Sequence, residues 1–197
     1  MTEQRGPRER MVFSAAQLIR RQGVTATGVR DIVEHAQAPR GSVQHYFPHG
    51  KEQLVTEAVG WAARYASGRV DRFLASMTAP TPSRLFAAMV RQWIEEYRAE
   101  GFRAGCPLAA TTVDCADASD AVRVAVADAF TAWRRPVARA LIDMGVPARR
   151  APSLATLMIS SLEGAILIAR AEQDTRALHT VARELGPLLD ACAEASG

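Results

Sequence analysis

The stretch APRGSVQHYF, residues 38–47, places five side chains with hydrogen-bonding tips within ten positions. Arg40 carries the planar fork that pairs with guanine O6 and N7, Gln44 carries the donor and acceptor that pair with adenine N6 and N7, and Ser42 has a hydroxyl suited to a base or a phosphate. Gly41 lets the backbone come close to whatever is bound. His45 and Tyr46, with Lys51 a little further on, suit phosphate oxygens, contacts that set register without reading sequence. Upstream, Thr27 offers a hydroxyl and, at a helix start, free amides for another phosphate. This is the chemistry of recognition rather than of bond breaking.

The charge distribution agrees. The 197-residue chain has a formal net charge of +3; residues 1–54 hold eight basic residues against five acidic ones, and sixteen of each lie beyond. All the excess sits in the first quarter, as in a small anion-binding module attached to a neutral body. A nucleophile is harder to assemble. Cys106 with a histidine and an aspartate is the best set for a Cys-dependent hydrolase, but His35, His45 and His49 fall in the basic region and no motif joins His179 to Cys106. The three cysteines are too few and too scattered for a disulfide framework or a metal site, so neither metal nor cofactor is expected. Cys106, just before Pro107, reads either as an activated sensor thiol or, more simply, as a packing residue; Cys115 and Cys192 read as buried. No run of eighteen uncharged apolar residues occurs, and MTEQRGPRERMVF lacks the apolar stretch of a secretory leader, so a cytoplasmic protein without a membrane span is expected.

The elements that must position these groups are helices. Apolar residues recur at helical spacing almost throughout, and no period-2 strand stands out. Met11, Ala15, Leu18 and Ile19 predict a helix from Arg8 to Gln22, with Gly23 as its stop. Thr27 stands where an N-cap would, ahead of the Val29, Ile32, Val33 and Ala36 stripe. Pro39 fits the first position of a third helix carrying Val43, Tyr46 and Phe47. Lys51 and Glu52 open a long fourth helix to Met77. Further helices are expected over 83–100, from Pro107, from Ser119 or Asp120 to Met144 with Pro136 inside it, over 153–172 and over 175–195. The expectation is an all-α chain of about nine helices, with a module at 1–50 and a larger body at 51–197.

The stretch GVTATGVRDIVEHAQAPRGSVQHYFPHGKEQLVTEAV, residues 23–59, resembles the helix-turn-helix signature of the TetR family of bacterial transcriptional regulators. The likeness rests on Gly23, Thr27, Ile32-Val33, Ala36, Gly41-Ser42, Tyr46-Phe47 and Lys51-Glu52-x-Leu54. YFPHGKEQL, GCPLAA at 105–110 and SLEGAILIARAEQD at 161–174 resemble the LmrA/YxaF-like branch. The resemblance implies a regulator, most simply a repressor, that leaves a palindromic operator in double-stranded DNA when a small effector binds. Where the family usually carries tyrosine after the small-apolar pair of the third helix, this chain has Gln44. An aromatic phosphate contact is thereby exchanged for a candidate base reader. A helical ligand-binding adaptor without DNA binding is the alternative.

In the neutral body, large side chains gather between positions 61 and 144. Trp61, Phe86, Met89, Trp93, Tyr97, Cys106, Phe130 and Trp133 are the candidate lining of a pocket for an apolar or aromatic effector. Glu163, alone in an apolar stretch, either meets a polar partner across a helix contact or faces that pocket. Two recognition modules bind specifically where one does not, so a homodimer is expected. The apolar faces of the last two helices, with Met158, Leu162, Ile166, Leu185 and Leu189, are its candidate interface.

Overall fold

The structure is a computed structural model that describes residues 6–39, 41–115 and 118–194. These residues form nine helices and no strand: α1 (Pro7–Gln22), α2 (Val29–His35), α3 (Ser42–Tyr46), α4 (Gly50–Ala75), α5 (Pro82–Glu100), α6 (Pro107–Cys115), α7 (Asp120–Asp143), α8 (Ala151–Glu172) and α9 (Arg176–Glu194). Local chemistry sets several boundaries. α1 opens on Pro7, where a missing N–H is no loss, and closes where the Gly23 N–H reaches the Ile19 carbonyl at 2.8 Å. α5 opens with the Thr81 hydroxyl accepting the Arg84 N–H at 3.3 Å, ahead of Pro82.

Packing divides the chain into two compact units that interleave in sequence. One holds the residues up to Arg64 together with Cys106–Phe130, and the other Tyr65–Gly105 together with Thr131 onward. In the first, α1 packs on α2 and on α6, and Met11, Ala15, Ile19, Ile32, Phe47, Leu54 and Leu108 form its interior. The second is built on α5 against α8 and α9, with Phe86, Leu141, Met158, Leu162 and Leu189 inside. There the Asp190 carboxylate of α9 accepts the Ser83 N–H at 2.9 Å, capping the start of α5 from another helix.

Pro136 lies within α7 without ending it. Lacking an N–H, it cannot bond the Ala132 carbonyl four residues back. The Ser67 hydroxyl of α4 donates to that carbonyl at 3.1 Å, so the break in the ladder is filled from a neighbouring helix. Ser67→Ala is expected to lower stability by about 1 kcal/mol, and by close to nothing in a Pro136→Ala background, where the helix supplies the bond itself. Urea unfolding of the two single variants and the double variant checks this.

Two expectations about burial change. Met158, Leu162, Ile166 and Leu189 are at most 1% exposed and Leu185 is also buried, so these side chains are covered by their own chain. The apolar side chains that α8 and α9 leave outside are Leu157, Leu167, Ile168 and Leu188. Helical period marks which positions are apolar, but α8 is apolar nearly all round. Among the described residues it is the one helix long and apolar enough to cross a membrane, with half of that apolar window buried inside the chain. Its inner face rests on α5 and α9, and Glu163 is buried midway along it. Cys106 is buried, in keeping with the simpler packing reading, whereas Cys115 and Cys192, expected buried, are half-buried.

Candidate nucleic-acid interface

α2 and α3 are short, and their neighbours hold them in place. The α2 cap is Gly28 rather than Thr27, and the Asp31 carboxylate accepts the Gly28 N–H at 3.0 Å. Thr27 is 1% exposed, and its hydroxyl donates to the Gly23 carbonyl at 2.6 Å. The hydroxyl therefore braces the turn after α1. The N-cap residue type is legible in the sequence; its burial is not, because tertiary packing decides it.

The third helix is also shorter than expected. Pro39 stands before it in a turn, with the Ser42 hydroxyl donating to the Pro39 carbonyl at 2.7 Å, and the helix runs only from Ser42 to Tyr46. Gly41 is its N-cap at φ +86°, a left-handed conformation that favours glycine. A Cβ there would meet nothing within 4 Å. The glycine therefore serves the dihedral and leaves the backbone open to a bound surface.

Along α3, Gln44 and His45 are exposed and Ser42 is half-buried. Tyr46 is half-buried beside His45, with ring centroids 4.8 Å apart at 70°. Phe47 closes the helix with its N–H on the Val43 carbonyl at 2.7 Å, and its ring is fully buried. It anchors α3 from beneath, while Val43 is half-buried. The Arg8 guanidinium lies 5.4 Å from the Phe47 ring centroid and pairs with Glu57 at 2.7 Å. Arg40 lies outside the described residues. Lys51 donates to the Val24 carbonyl at 2.7 Å; an ammonium has three protons, so this bond leaves it able to meet a phosphate.

Contacts from α6 and the start of α7 reach the same unit and were not legible in the sequence. The Asp114 carboxylate accepts the Thr25 N–H at 3.1 Å, and the Ser119 hydroxyl donates to Glu52 at 2.7 Å. Burial pushes the Cys115 thiol up, Asp114 adds to the effect and Lys51 opposes it. A thiol kept protonated in this way is a poor nucleophile.

The candidate effector residues fall in both units. Phe86, Met89, Trp93, Tyr97 and Trp133 belong to the second and are buried; Trp61, Cys106 and Phe130 belong to the first. Trp93 and Tyr97 stand 5.8 Å apart between ring centroids, and Phe102, absent from the expected lining, lies 4.7 Å from Tyr97. The Tyr97 hydroxyl is 3.5 Å from the Ile166 carbonyl. Trp61 packs edge-on against Phe13 of α1 at 5.2 Å.

Comparison with known proteins gives two family matches. Residues 14–58 match the model for bacterial regulatory proteins of the tetR family, and residues 82–184 match the transcriptional regulator LmrA/YxaF-like C-terminal domain. The chain is 41% identical over 189 residues to the uncharacterized HTH-type transcriptional regulator Rv0196 of Mycobacterium tuberculosis, covering 93% of this chain and 94% of that protein. It is 28% identical to the uncharacterized HTH-type transcriptional regulator YxaF of Bacillus subtilis, covering 96% and 98%. Its fold is similar to the crystal structure of a TetR transcriptional regulator from Legionella pneumophila, with a TM-score of 0.81 at 19% identity, covering 96% of this chain and all of that one.

Proposed function

The chain belongs to the TetR family of bacterial regulatory proteins, with a C-terminal domain of the LmrA/YxaF-like kind, and from that premise we propose how this DNA-binding transcriptional regulator reads and releases its operator. It is a cytoplasmic repressor that binds a two-fold related site as a homodimer and leaves it when an apolar or aromatic small molecule occupies the body.

The observation that carries this reading is the exposed Gln44–His45 pair on α3, pinned from below by buried Phe47. The N-terminal half of such a helix enters the major groove. Ser42 and Gln44, with Arg40 just ahead, face base edges; His45, Tyr46 and Lys51 hold phosphates at the far end; Thr27 steadies the turn that faces the backbone. Two copies are joined through the apolar side chains that α8 and α9 leave outside. In the second unit, Trp93 and Tyr97, with Phe86 and Met89 on the same helix and Trp133 on α7, all buried, supply flat apolar surface and polar tips for the effector.

The experiment is fluorescence anisotropy on a duplex that the wild-type protein selects from a random library, with unselected DNA as control and a salt series. Nanomolar binding with a wide margin over unselected DNA, falling steeply with salt, is expected. Gln44→Ala is expected to lose about 1–3 kcal/mol of discrimination at one base pair per half-site, roughly five- to 150-fold, with little change in binding to unselected DNA. Retention of full selectivity by Gln44→Ala would remove Gln44 from the reading set.

A further inference from the structure

α3 is five residues long and cannot hold its own direction, so its orientation is inherited from what flanks it. Below it is Phe47. Ahead of it is the α2–α3 turn, and that turn is held by a residue none of the recognition contacts involve. The Ala36 N–H returns to the Ile32 carbonyl, the Gln37 N–H to the Glu34 carbonyl and the Ala38 N–H to the Val33 carbonyl, closing the end of α2. Two carbonyls in consecutive peptide units then point away from the helix. The Arg10 guanidinium of α1 takes both, Nε donating to Ala36 O at 3.0 Å and Nη2 donating to Gln37 O at 3.3 Å.

We infer that Arg10 is the positioning residue of the recognition helix: bridging α1 to the Ala36 and Gln37 carbonyls, it sets the angle at which Gln44 and its neighbours meet the bases. A guanidinium is a planar fork whose donors have a fixed mutual geometry, so two bonds to successive carbonyls fix the tilt of the turn as well as its place. The turn needs such support. Gln37 sits at φ +49°, a left-handed conformation that a residue with a Cβ resists. One helical turn further along α1, Ser14 Oγ lies 2.9 Å from His35 Nδ1 and pins the other side of the α2 C-terminus. Positive charge on Arg10 also complements the partial negative charge of that helix end.

The inference rests on α3 being the helix that reads DNA, and the test separates the two. Wild type, Arg10→Met and Arg10→Lys are compared on a duplex selected by the wild-type protein and on unselected DNA, across a salt series, alongside thermal unfolding. If the wild type selects no sequence, the reading of α3 fails first and Arg10's role falls with it. If it does, Arg10→Met is expected to lose about tenfold or more on the selected duplex, with binding to unselected DNA and the salt slope unchanged, and Arg10→Lys to recover part of the loss through one carbonyl. Equal losses on both DNAs with a salt slope smaller by about one would overturn the inference in favour of a phosphate contact. Equal losses on both that track a lower melting temperature would reduce Arg10 to a stabilising residue, and no loss at all would remove it.

Discussion

Leu167→Glu combined with Leu188→Glu is expected to yield a monomer that binds the selected operator about a hundred- to ten-thousandfold more weakly than the wild type. The argument begins with what the chain leaves uncovered. Leu157, Leu167, Ile168 and Leu188 stand 45–64% exposed on α8 and α9, alongside Met158, Leu162, Ile166 and Leu189, which the chain already covers. Gly164 on α8 has open space where a Cβ would stand. On the proposed function, this exposed apolar face is where the second copy docks. A carboxylate buried in that contact without a partner costs several kcal/mol. In the separated chain both positions face water, so far-UV circular dichroism and melting of the isolated fold should change little. The loss of DNA affinity follows because two linked recognition helices gain about 10²–10⁴ in affinity over one. Sedimentation equilibrium and anisotropy check the two halves of the prediction. A variant that remains dimeric would place the contact on other faces.

Gly23→Val is expected to destabilise the fold by about 2–4 kcal/mol, read as a lower urea midpoint with an unchanged slope. Two independent features of the site add up here. Gly23 lies at φ 81° and ψ 173°, a region essentially reserved for glycine. A Cβ at that position would also stand inside contact distance of the Asp114 carboxylate, which is held in place by the Thr25 N–H. Removing the carboxylate should relieve the second feature and leave the first. Asp114→Ala alone is therefore expected to lose about 1 kcal/mol, yet to lessen the damage in the Gly23→Val background, a coupling of about 1 kcal/mol or more in the double-mutant cycle. Strict additivity would mean that Asp114 moves aside freely.

The contrast between Gly23 and Thr27 shows how far residue types carry. Gly23 was legible as a helix stop, because only a residue without a Cβ ends α1 in that conformation. The carboxylate filling its empty side comes from a residue 91 positions later and leaves no local trace. Thr27 had the right type and spacing for a cap, but burial turned its hydroxyl toward Gly23 and gave the cap to Gly28. Pro39 fitted a first helical position, yet a left-handed Gly41 delays the helix to Ser42. In each case a local preference met a packing demand and yielded to it.

Composition, period and motif determined by themselves that the chain is helical, where its helices run to within a few residues, and that its excess positive charge lies in the first quarter of the chain, with the helix-turn-helix signature. These follow from interactions between residues close in sequence, whose free energies are set by side-chain type and spacing. The tertiary structure alone decided which faces of α8 and α9 are covered by the chain itself, which cysteines are buried, that α6 packs on α1 and Ser119 ahead of α7 reaches Glu52 of α4, and that Arg10 bonds the turn before α3. Those outcomes depend on contacts between distant segments, where one apolar stripe fits several partners and only the assembled packing selects among them.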